Sequence, residues 1–152
     1  MSATKPIDGP RITPYLLYRD VAKSLKFLTK AFGFKTLETM KDDDGVIQHA
    51  AMHFGDGLVM MGYPGRKYKN PKKLGHVTQS LYVMVDDVDT HFKNAKKAGA
   101  KILEKPSDMF YGHRRYGAAD PEGHEWYFAV NIAKASEKKP ESQKKSNPKK
   151  DS

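Results

Sequence analysis

The chain has 152 residues, 38% of them hydrophobic, and a formal net charge of +9, which is the size of one ordinary domain. It has no cysteine, which excludes disulfides, thiolate metal sites and thiol nucleophiles. The N-terminus carries no leader-like apolar run, and no stretch approaches the roughly 20 residues of a membrane span, so a soluble cytoplasmic protein without membrane partners is expected.

Residues 1–11 form a polar N-terminal arm. The segment ITPYLLYRDVAKSLKFLTKAFGFKTLE follows. It opens as a strand, and Asp20 stands where an N-cap carboxylate accepts a first-turn N–H. Val21, Leu25, Leu28 and Phe32 then form one apolar helical stripe. Gly33 sits where a left-handed residue closes a helix, and Phe34–Leu37 re-enters a strand. Strand-like runs at 46–54 and 58–63 flank the turn Phe54-Gly55-Asp56-Gly57. Residues 64–75, rich in Pro, Gly and Lys, are read as a linker.

The pattern then repeats. VTQSLYVMVDDVDTHFKNAKKAGAKILE again gives a strand, an Asp87 cap, a helical stripe through Val88, Phe92 and Ala95, a closing Gly99 and a strand. Strand-like runs at 114–118 and 125–130 flank Asp120-Pro121-Glu122-Gly123. Each half is β-α-β-β-β. Module one spans 12–63 and module two 76–131. Residues 132–152 are a Lys-rich tail. From Lys134 onward it holds seven lysines against three acidic residues, a net +4 that leaves +5 for residues 1–133. With almost no apolar residue it is expected to be disordered, either as a solubilising end or as an arm for anions or nucleic acid.

Several motifs recur in order: Val-Asp-Asp-Val-Asp at 85–89, Lys-Ala-Gly-Ala-Lys at 97–101, Tyr-Gly-His-Arg-Arg-Tyr at 111–116 and Asp-Pro-Glu-Gly-His-Glu-Trp at 120–126, with Phe32-Gly33-Phe34 in the first half. Over residues 12–131 the chain resembles the vicinal oxygen chelate superfamily, in its glyoxalase- and bleomycin-resistance-like branch. The resemblance implies an α+β fold in which tandem βαβββ modules form an open, cup-like mixed sheet. It also implies a concave face for metal, substrate or drug, and frequent homodimers.

In metal-dependent members of that family the first and last strands of each module supply His and Glu ligands. The matching positions here are Thr13, Ser80, Met61 and Tyr127. Hydroxyl, thioether and phenol groups are poor ligands for a divalent ion. No cofactor is therefore expected, with a metal admissible only through atypical ligands. The six histidines offer no chelating pair. His49 and His53 are about 13 Å apart along a strand. His91 is expected to face solvent, His76 and His113 to flank strand starts, and His124 to point away from the cup.

Strand alternation places Thr13, Tyr15 and Leu17 on the concave side with Ser80, Tyr82, Met84, Glu125 and Tyr127. Ile12, Leu16, Tyr18, Trp126 and Phe128 pack behind. Such a lining suits a flat or amphipathic organic molecule, although Tyr and Met also fill collapsed cores. Arg114 or Arg115, the latter the better candidate, either faces the cup mouth as an anchor or pairs with Asp120 or Glu122. The expected ligand-binding set is Thr13, Tyr15, Met61, Ser80, Tyr82, Met84, Arg115, Glu125 and Tyr127. The expected function is metal-free binding of a small organic molecule, an antibiotic among the candidates. The alternatives are a lyase- or isomerase-type enzyme with Glu125 as base and Tyr127 as acid, and anion or nucleic-acid association through the tail.

Overall fold

A computed structural model describes residues 9–133. The expected tail lies, from Lys134 on, outside the described residues. The first module contains β1 (Tyr15–Leu17), α1 (Val21–Phe27), β2 (Lys35–Lys41), β3 (Ile47–Phe54) and β4 (Gly57–Gly62). A short α2 (Pro71–Leu74) lies in the connection. The second module contains β5 (Leu81–Met84), α3 (Val88–Lys97), β6 (Lys101–Asp108), β7 (His113–Ala119) and β8 (Glu125–Asn131).

The strands form two four-stranded mixed sheets, ordered β1-β4-β3-β2 and β5-β8-β7-β6. In each, the first strand runs parallel to the last, and the other pairs are antiparallel. Both sheets are open, and no backbone ladder joins them. Pro106 lies in β6, an edge strand, where a missing ladder donor is tolerated.

The helices begin and end as their sequences dictate. The Asp20 carboxylate accepts the Lys23 N–H at 3.0 Å, and the Asp87 carboxylate accepts that of Thr90 at 3.1 Å. α1 widens at its end into a π-helical turn, Leu28–Phe32, closed by Gly33 at φ 83°. The turn keeps Leu28, Ala31 and Phe32 buried. One core cluster serves both modules. Phe32 from module one meets Phe128 at 4.7 Å and Trp126 at 5.7 Å between ring centres. Phe34 meets Trp126 at 5.3 Å. Truncating a fully buried Phe of this kind costs about 3–5 kcal/mol.

Two expectations are corrected. Ile12 does not pack behind the sheet: it precedes β1 and is 85% exposed. His91 does not face solvent. It is half-buried at the module junction, where its Nε2 lies 2.8 Å from the Phe32 carbonyl and its Nδ1 2.5 Å from the Tyr116 hydroxyl. Within the linker, Asn70 caps α2 by accepting the Lys73 N–H at 3.0 Å.

Candidate functional site

Alternation along β1 buries Leu16 and Tyr18 and leaves Tyr15 and Leu17 on the open face. Tyr15 pairs with Met60 across the parallel ladder, and its ring lies over Gly62, where a Cβ would sit 2.5 Å from the phenolic oxygen. The Tyr15 hydroxyl is 3.0 Å from His49 Nδ1. Thr13 sits just before the strand, half-buried. Met61 is fully buried in the core, so it lines no open face. Met60 occupies the position that pairs with Tyr15. A one-residue shift along a strand exchanges the two faces.

The second sheet carries the denser constellation. Tyr82 on β5 pairs with Tyr127 on β8. The Tyr127 ring covers Gly117 of β7, where a Cβ would meet it at 2.6 Å. The Arg115 guanidinium lies over the same ring, 5.0 Å from its centre. Arg115 Nη2 pairs with the Glu104 carboxylate at 3.2 Å, and Nη1 donates to the Tyr111 hydroxyl at 3.3 Å. The Tyr82 hydroxyl in turn lies 3.2 Å from that of Tyr111 and 2.8 Å from His113 Nδ1. Arg115 Nε is buried without a hydrogen-bond partner among the described residues. Met84 is exposed on the same strand, two residues from Tyr82.

Burial keeps the Tyr82 and Tyr127 phenols protonated. Burial pushes the Tyr82 hydroxyl up to about 12, reinforced by Tyr111 and opposed by Arg115. Tyr127 is raised by burial and then by the charges of Glu125 and Glu104. Burial works against the charge on Arg115, yet Glu104, Tyr111 and Tyr82 raise its pKa overall. Near neutral pH the face therefore offers hydroxyl donors, one guanidinium and exposed aromatic rings.

Arg114 does not join this face. It pairs with Asp89 at 3.1 Å and Asp108 at 3.0 Å, and neither arginine reaches Asp120 or Glu122. A cleft of about 440 Å³ runs between the starts of β1 and β5. Tyr15, Leu17, Leu74, Ser80 and His124 line it. It brings Ser80 to the first sheet's Tyr15 rather than to Tyr127. His124 Nε2 lies 2.8 Å from the Leu17 carbonyl and serves the module junction.

The donors do not suit a divalent ion. Thr13 and Ser80 offer hydroxyls, Met61 is in the core, and Tyr127 lies beneath a guanidinium that repels a cation. Among the described residues no three His, Asp or Glu side chains gather as a ligand group. His49 and Glu38 approach at 4.0 Å, with no third His, Asp or Glu beside them among the described residues.

Sequence reasoning missed Glu104, Tyr111, His113 and His49. Alternation on β7 puts His113, Arg115 and Gly117 on one face, a signal that was present. Tyr111 lies in the turn before β7, where no alternation rule applies.

The sequence model of the Glyoxalase/Bleomycin resistance protein/Dioxygenase superfamily matches residues 11–128. An uncharacterised protein of Mycobacterium bovis is 33% identical over 122 residues, covering 77% of this chain and 80% of the relative. Among solved structures, TioX from Micromonospora sp. ML1 is 34% identical with a TM-score of 0.68, covering 82% of this chain and 100% of that one. A glyoxalase/bleomycin resistance protein/dioxygenase family enzyme from Burkholderia phytofirmans shares the fold at 18% identity and TM-score 0.62, covering 78% and 95%.

Proposed function

The chain belongs to the glyoxalase/bleomycin resistance protein/dioxygenase superfamily, and from that premise we propose that it binds a planar or amphipathic organic molecule, without the family metal, on the open face of its second sheet. The observation that carries this reading is the Tyr82–Tyr127–Arg115 constellation. The exposed Tyr82 ring, the half-buried Tyr127 ring and a planar cation stand beside hydroxyl donors that burial keeps protonated. Aromatic walls with a few polar anchors are what organic ligands bind. An antibiotic is one such ligand, which would make the role one of resistance by sequestration.

The open faces also support a homodimer. Tyr15, Leu17, Leu37, Met40, Tyr82 and Met84 are all exposed large apolar side chains, the kind of surface that an interface covers. A second copy is the partner that would cover them, and sedimentation equilibrium reads its presence directly.

Melting the protein against a panel of planar aromatic compounds tests the binding reading. A ligand at one hundred times its Kd adds about 2.7 kcal/mol of stability, and Tyr127→Ala should remove the shift. A wide panel that leaves the melting temperature of the wild type unmoved would overturn it.

One observation favours a second reading, a lyase- or isomerase-type activity. Glu125 and Tyr127 are two residues apart on β8, and the carboxylate raises the Tyr127 pKa, which supports a base working with an acid. Glu125→Gln should then abolish turnover while leaving ligand-induced stabilisation intact; turnover that survives in this variant removes the proposed base.

A further inference from the structure

The segment 66–73 reads RKYKNPKK, five cations in eight residues. It is pinned to the body at several points. The Tyr68 hydroxyl donates to the Leu17 carbonyl at 2.9 Å, and Arg19 Nη1 donates to the Tyr68 carbonyl at 2.6 Å. Asn70 Nδ2 donates to Glu122 Oε1 at 2.9 Å, and the Lys72 N–H donates to the Glu122 carbonyl at 2.9 Å. The backbone beneath these cations is therefore held in place by folding, which lowers the entropy lost on binding.

Arg19, Arg66, Lys67, Lys69, Lys72 and Lys73 line a concavity of about 890 Å³. Among the described residues, none of these six makes an ion pair with a carboxylate. Three acidic residues lie close by: Asp20, whose carboxylate caps α1, and Asp120 and Glu122, which are buried. Main-chain N–H groups, a phenol, an indole and an amide satisfy their oxygens. Six cations against three carboxylates, none of which forms an ion pair with them among the described residues, leave the rim with a net positive charge.

We propose that this concavity binds a compact polyphosphate, inorganic or nucleotide-borne, through its linked phosphate groups. Lysines act on phosphate as point charges, and arginines add paired donors. The concavity has the volume of a small-ligand site rather than a long groove. Tyr68 is its one aromatic residue, and a single ring is no platform for a run of stacked bases. This site is separate from the aromatic face of the second sheet and does not depend on it.

Calorimetric titration of the full chain with inorganic triphosphate tests the proposal, with ATP and a single-stranded oligonucleotide as further probes. The wild type should bind triphosphate, and more weakly as salt rises. Replacing Lys67, Lys69 and Lys72 together by Gln should weaken binding by at least about tenfold with the melting temperature unchanged. Replacing the tail's Lys144, Lys145, Lys149 and Lys150 by Gln should leave it intact. Tighter binding of ATP supports a nucleotide ligand, and equal binding supports a free phosphate chain. No triphosphate binding, unaltered binding in the linker variant, or loss confined to the tail variant would each overturn the proposal. Oligonucleotide binding without triphosphate binding would replace it with a nucleic-acid backbone.

Discussion

The Tyr18 hydroxyl of the first module donates to the Asp120 carboxylate of the second at 2.6 Å, across 102 residues of sequence. Asp120 Oδ2 also accepts the Trp126 indole N–H at 3.1 Å, while Oδ1 takes the N–H groups of Glu122 and His124. Burial pushes the pKa of this carboxyl up, and the Tyr18 hydroxyl, His124 and Trp126 oppose it. Burial and Asp120 together hold the Tyr18 hydroxyl well above its usual range, so it remains a donor. Glu122, two residues on, accepts the main-chain N–H groups of Arg19 and Asp20 at 2.7 and 2.8 Å. The Asp120-Pro121-Glu122-Gly123 turn is thus the clasp that seats module one on module two.

Tyr18→Phe keeps the ring in the core and deletes the donor. A buried carboxylate that loses one partner costs about 1–3 kcal/mol. Urea denaturation should show a lower midpoint with an unchanged slope. A loss under about 0.5 kcal/mol would mean the bond contributes nothing net.

His91 predicts a pH dependence. The Phe32 carbonyl can only accept, so Nε2 carries the proton and Nδ1 accepts from Tyr116. Burial lowers the His91 pKa from its usual value near 6.5, against a smaller opposing effect of the Phe32 carbonyl. Lys30 and Lys97 line the same hollow, and no carboxylate does. A lowered folded pKa means that the unfolded chain takes up the proton first as pH falls. The stability His91 contributes is full above about 6.5 and is lost as pH drops from there through the lowered value. His91→Asn should therefore cost more at about pH 8 than at about pH 5. An equal cost at both, read from paired denaturation curves, would place the titration elsewhere.

Much of this was legible in local sequence. Caps, stripes and turn residues located both helices and most strands, because those signals act over a few residues. Alternation found Tyr15, Tyr82 and Tyr127, since β1, β5 and β8 are short and regular. It failed at Ile12, which precedes the strand; Met61 came from the family's ligand position and lies one residue from Met60, the partner of Tyr15. The Asp120 turn read as turn chemistry only, because its partners Tyr18, Arg19 and Asp20 are a module away. Tyr111 and Glu104 reach Arg115 from a turn and from a strand with register shifts, neither of which a period of two can place.

Gly117 is small because Tyr127 lies across it. Gly117→Ala puts a methyl where the ring now sits. Tyr127 is half-exposed and can swing outward, so stability should fall by no more than about 1 kcal/mol. The stack of Arg115 on Tyr127 should be lost, and with it several-fold in affinity for the tightest compound of the melting screen. Unchanged affinity would show that the stacked pair is no part of the site.

Arg115→Lys separates charge from shape. Lysine can still face Glu104, but its ammonium cannot lie flat on Tyr127 or reach Tyr111 and Glu104 together as the guanidinium does. If the planar cation anchors the ligand, the substitution should cost about 0.5–2 kcal/mol of binding, roughly 2- to 30-fold in Kd. Folding stability should stay within about 1 kcal/mol of the wild type. Calorimetry on the same compound decides between two cases. Lysine that binds as well as arginine would reduce Arg115 to a point charge paired with Glu104. A loss matching that of Arg115→Ala would put its contribution in the flat contact rather than in the charge.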